Sequence, residues 1–96
     1  MQAVIRQYTG PGAVALFDVL ERRAADVEAL MRSVKGFVSY TLARTDGGGF
    51  TVTVCQDKAG ADESLQKAKD WIAQNASNTG AAAPAVSVGE VVLFVK

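Results

Sequence analysis

Ninety-six residues, 49% of them hydrophobic, fit one domain spanning residues 1–96 with a modest core, and its ten basic and ten acidic side chains cancel. No run of like charge occurs, which argues against nucleic acid and anionic membrane as partners, since both need a concentrated positive patch. Cys55 is the only cysteine, so no intrachain disulfide forms and a cytoplasmic, reducing setting is expected. No stretch approaches the ~20 apolar residues of a membrane span. Histidine is absent, which removes the commonest general base and the commonest nitrogen ligand for zinc, iron or copper.

Ala3 to Tyr8 carries β-branched Val4 and Ile5 and runs into Thr9-Gly10-Pro11-Gly12, the pattern of a short strand and a turn. From Ala13 the period becomes helical, with Phe17, Leu20, Ala24, Val27 and Met31 on one side, predicting one amphipathic helix over 13–33 that Gly36 stops. Glu28 and Arg32 stand four apart in the order that favours pairing. Phe37 to Arg44 and Phe50 to Gln56 alternate as strands, with Phe50, Val52 and Val54 opposite Thr51, Thr53 and Cys55. Thr45-Asp46-Gly47-Gly48-Gly49 between them reads as a mobile hairpin turn; an anion-cradling glycine loop would lead into a helix instead. A second helix is predicted over 61–76, with Leu65, Ala68 and Ile72 as its core stripe and Glu63 and Lys67 as a second pair. Ser77 to Gly80 ends it, Ala81 to Ala85 is a flexible connection, and Ser87 to Val95 reads as a last strand.

The order strand, helix, strand, strand, helix, strand is the βαββαβ, ferredoxin-like α+β pattern: one antiparallel sheet with two helices on one face. Apolar residues fall on both faces of the strands. Two helices cover only one of them, so a second copy is expected to cover the other.

In the length of its first helix, in Gly36-Phe37-Val38-Ser39-Tyr40, in the hairpin to Phe50-Thr51-Val52-Thr53-Val54, and in Asp57-Lys58-Ala59-Gly60-Ala61 leading to Trp71, the whole chain resembles the antibiotic biosynthesis monooxygenase (ABM) type domains of the dimeric α+β barrel superfamily. The resemblance implies a homodimer, each protomer holding a small aromatic or apolar ligand between its own sheet and helices. It also implies either a cofactor-independent monooxygenase acting on an aromatic or quinol-like substrate, with no metal or cofactor, or a non-enzymatic binding domain of the same fold. The haem-degrading pattern expects a histidine on the second helix, and there is none. Trp71 is carried over from the resemblance as a ligand wall, and Asn75, four residues on, can reach the same side.

Arg6 with Tyr8, and Tyr40 with Arg44, each share a strand face and are candidates to bind an acidic phenol, or else to lie on a rim or an interface. Which sheet face meets the helices is not fixed by alternation. Without a histidine to activate it, Cys55 reads as a passive, half-buried thiol. An acylphosphatase loop, an RNA-recognition aromatic motif and a Cys-x-x-Cys metal site are all missing from the sequence.

Overall fold

The computed structural model describes Met1–Lys96. Its elements run β1 (Gln2–Tyr8), α1 (Ala13–Arg22), α2 (Ala24–Arg32), β2 (Phe37–Thr45), β3 (Gly48–Cys55), α3 (Lys58–Asn75), a 3-10 turn (Ser77–Thr79) and β4 (Ala85–Glu90). The four strands form one antiparallel sheet in the order β2-β3-β1-β4, the ferredoxin-like arrangement. All helices lie on one face: α1 packs on β3, α2 on β2, and α3 on β3 and β1.

The single helix expected over 13–33 is broken at Arg23, whose φ of −109° and ψ of 33° interrupt the helical run. The chain thereby bends from β3 to β2, following a twisted sheet that a straight rod would leave. The Arg23 N–H still donates to the Val19 carbonyl at 2.9 Å, so the bend costs little hydrogen bonding. Glu28 and Arg32 pair on α2 at 2.8 Å, and Gly36 takes a φ of 78° at the stop.

Helix α3 starts at Lys58, three residues before the expected Ala61. Asp57 is its N-cap, its Oδ1 accepting from the Gly60 N–H at 2.9 Å. A Cβ on Gly60 would stand 2.6 Å from the Lys35 carbonyl oxygen and 3.1 Å from the Cys55 Cβ, so glycine lets α3 seat against the turn before β2 and the end of β3. Strand β4 ends at Glu90, short of the expected Val95: Gln2 faces Glu90, and the last bond is Val91 N–H to the Met1 carbonyl. Val92, Leu93 and Val95 beyond it are exposed, Val92 to 95%.

The hairpin turn is only Asp46-Gly47. Gly48 and Gly49 belong to β3 and are buried, so they are not the mobile loop the sequence suggests. Any Cβ on Gly49 would collide with the Phe17 ring, which lies against that backbone and meets Tyr8 edge-on at 5.8 Å between centroids. Leu16, Phe17, Leu20, Val27 and Met31 fill the space between helices and sheet. Each large side chain so buried contributes about 1.5–3 kcal/mol.

Register assigns the two faces. Ladder partners point the same way, and Val4, Arg6 and Tyr8 on β1 pair with Thr53, Thr51 and Gly49 on β3, which pair in turn with Tyr40, Leu42 and Arg44 on β2. This set, with Val86 and Val88 of β4, lies on the side of the helices. Ile5, Phe50, Val52, Ala43 and Thr41 share the opposite face, which no element of the chain covers.

Candidate functional site

The covered face of the sheet is polar at its centre. Arg6 is 5% exposed, and its Nη1 donates to the Tyr8 hydroxyl at 2.9 Å, the guanidinium lying 5.9 Å from the Tyr8 ring centroid. Tyr40, across β3 from β1, has its phenol pKa raised by burial, and the Arg6 guanidinium partly offsets that. Tyr40 is therefore a neutral hydrogen-bonding group at physiological pH. Thr51 and Thr53 lie between these side chains in the ladder, each 1% exposed, and their hydroxyls have no hydrogen-bond partner.

Alternation gives Arg6 with Tyr8 and Tyr40 with Arg44 as separate pairs; register brings the strand faces together. Arg44 nevertheless leaves the centre. Its Nη2 reaches Asp18 Oδ1 at 3.0 Å and its Nε reaches Glu21 Oε1 at 3.5 Å, tying the outer end of β2 to α1.

Trp71 and Asn75 form a second cluster at the helix break. Arg23 stacks 5.1 Å from the Trp71 ring centroid and donates from Nη1 to Asn75 Oδ1 at 2.9 Å. Asn75 Nδ2 donates to the Trp71 carbonyl at 2.9 Å, so both ends of the amide are engaged within the protein. The inner side of Trp71 borders a void of only ≈20 Å³ shared with Arg6, Tyr40, Leu20 and Ile72.

Room for a ligand lies on either side of this void. One cavity of ≈470 Å³ runs between α3, α1 and β4; Arg6 and Tyr8 form its inner end, Leu16, Leu65, Ile72 and Val86 its apolar walls. Ala81–Pro84, expected to be a flexible connection, closes one side of it. A groove of ≈480 Å³ on the far side follows α2 and β2 past Met31, Phe37 and Tyr40, with Glu28 and Arg32 at its edge. Sequence reasoning reaches Arg6 and Tyr8 but misses Thr51, Thr53 and the loop. Period-2 alternation carries no sign of which face is covered, and an alanine-rich connection carries no sign that it is a wall.

Cys55 is wholly buried rather than half-buried. Burial raises its thiol pKa, with the Asp57 and Glu63 carboxylates adding to the effect, so it stays an unreactive thiol. No three of the acidic or cysteine side chains gather as a metal would require, and no helix is long and apolar enough to cross a membrane.

No family model and no curated protein matches the sequence. Solved structures match it closely in shape. The NE2512 protein of unknown function from Nitrosomonas europaea superposes with a TM-score of 0.72 at 18% identity over 99% of this chain and 91% of its own. MhuD of Mycobacterium tuberculosis, a heme-degrader described with two hemes bound in its active site, gives 0.70 at 21% identity over 100% of both chains. SnoaB of Streptomyces nogalater, described as a cofactor-independent oxygenase, gives 0.67 at 20% identity over 98% and 95%. With strand order, helix placement and these superpositions in agreement, the chain has the ABM-like, ferredoxin-like α+β fold.

Proposed function

We propose that the chain is a small-molecule-binding homodimer of the α+β barrel type and acts as a cofactor-independent monooxygenase on an aromatic or quinol-like substrate. The observation that carries this reading is the ≈470 Å³ cavity with aliphatic walls and the Arg6–Tyr8 pair at its inner end. Aliphatic walls suit a flat ring system, and a guanidinium with a phenol at one end suits its oxygen. The likeness to SnoaB in fold supports the class of chemistry. In that chemistry a deprotonated anthrone-type substrate supplies the electrons to dioxygen. Its methylene carbon loses a proton, bonds to one oxygen atom and, once the distal oxygen is protonated, carries a hydroperoxide. The O–O bond then breaks with loss of the remaining hydrogen on that carbon, leaving a carbonyl and one water. The protein's part is to favour the anion and to hold it out of water.

Dimerisation is supported by the bare sheet face, where Ile5 is 41% exposed beside half-buried Phe50 and Val52, and by the apolar tail from Val92. A non-enzymatic binding domain is the second reading. It is favoured by the scarcity of bases at the inner end: Asp62, the one carboxylate in the cavity wall, is exposed and pairs with Lys58 at 2.8 Å, and Tyr40 is held protonated.

The test is oxygen uptake with a panel of anthrones and hydroquinones, alongside thermal stabilisation by the same compounds, on the wild type and on Leu65→Trp, which puts an indole into the cavity. Uptake and stabilisation that both vanish in the variant are expected. Stabilisation without uptake leaves the binding domain, and neither effect in the wild type refutes the cavity as a site.

A further inference from the structure

We propose that the cavity ligand is an organic carboxylate, whose anionic group is held by Arg6. This rests on the reading of the cavity as a small-molecule site and adds the charge of the ligand to it. Arg6 is a buried guanidinium with no acidic partner: its neighbours within the protein are the Tyr8 hydroxyl, to which it donates, and the Tyr40 phenol, and no carboxylate lies within ion-pair distance. A charge withdrawn from water without a counter-ion is costly, and an interior arginine is ordinarily paired.

The other charges of the cavity do not supply the missing anion. Asp62 is engaged with Lys58, and Gln66 donates to Asp70 at 2.9 Å, turning away from Arg6. Lys69, on the same wall, has no acidic partner either. In a protein whose formal charges sum to zero, the lining of this cavity therefore carries one cation in excess, buried Arg6 and exposed Lys69 standing against the single exposed carboxylate of Asp62.

The geometry favours a carboxylate over a phosphate. A single guanidinium fork matches two carboxylate oxygens, and the Tyr8 hydroxyl lies beside it as a neutral partner, whereas a phosphate dianion needs more donors than this end provides. The aliphatic walls formed by Leu16, Leu65 and Ile72 then take the rest of the molecule, so an aromatic or alicyclic acid fits both ends.

The experiment compares 1-naphthoate with its neutral isostere 1-naphthamide by calorimetry on the wild type, Arg6→Gln and Lys69→Gln. The wild type is expected to bind the acid at least about tenfold more tightly than the amide, the scale of one charge-assisted hydrogen bond. Arg6→Gln is expected to abolish that preference and Lys69→Gln to reduce it about two- to threefold, as for a solvated charge. The wild-type comparison stands even if Arg6→Gln fails to fold. Equal binding of acid and amide overturns the carboxylate and leaves the cavity reading intact. Failure of both probes also overturns it, and the neutral anthrone and hydroquinone panel then decides the cavity reading separately.

Discussion

At its centre the sheet reverses the usual pattern of its faces. Under the helices, beside buried Val4, β1 and β3 place Arg6, Thr51 and Thr53; on the uncovered face, beside Gln7, they place Ile5, Phe50 and Val52. Helix cover normally goes with an apolar sheet surface, and water with a polar one. The reversal is intelligible if each face serves something outside the chain: the covered face a polar group of a ligand, the bare face a second sheet.

The bare face offers the largest effect. Val52→Asp puts a charge at the centre of that face, opposite Ile5 in the ladder, and is expected to weaken self-association by about 3 kcal/mol or more, roughly a hundredfold. Sedimentation equilibrium at micromolar concentration measures it, with circular dichroism to confirm the fold. Self-association that is unchanged in the variant would mean that the apolar face is not the contact, and a monomeric wild type would refute the proposed dimer.

On the covered face the expected effect is smaller and opposite in sign. Thr51→Val keeps the shape and removes a buried hydroxyl that has no partner, so urea denaturation should show a gain of about 0.5–1 kcal/mol. A loss of more than about 1 kcal/mol would show that the hydroxyl does have a partner in solution.

The smallest effect concerns the seam that holds the helices over the polar face. Glu63 accepts from the Lys35 N–H at 3.3 Å and pairs with Lys67 at 2.9 Å, and its carboxyl pKa is lowered by the Lys67 hydrogen bond first and the Lys35 backbone second. A depressed folded-state pKa means that the contribution to stability is present above the ordinary glutamate range and is lost as pH falls through the folded value. The urea midpoints of wild type and Glu63→Gln should therefore differ slightly at neutral pH and converge in acid. A gap that stays constant with pH would show that the ionised carboxylate is not what stabilises this seam.

Much of the fold is legible in the sequence because its signals are local. The 3.6 spacing of Phe17, Leu20, Val27 and Met31 and the strict alternation from Phe50 show within a few turns of helix or one length of strand. The break at Arg23 depends on the sheet beneath it, and the extent of β4 depends on its pairing with β1, so neither is written in its own neighbourhood. The site divides in the same way. Arg6 and Tyr8 are conspicuous as polar residues sharing one face of an otherwise mixed strand, but their meeting with Tyr40 requires the register of a third strand between them. The Trp71 and Asn75 pairing is visible as a four-residue spacing, whereas Arg23, which occupies both, comes from 52 residues away from Asn75 in the chain.

Cys55 gives the molecule a built-in reporter. Its thiol sits at the end of β3 facing the helices, shut in with Gly60 of α3 pressed against its Cβ, and it is the chain's only sulfhydryl. A thiol reagent reaches it when α3 lifts from the sheet, so labelling reports the population of that opening and, with reagent fast enough to outpace reclosing, its rate. A ligand seated between α3 and β1 would slow the reaction, and binding could be followed without any knowledge of turnover.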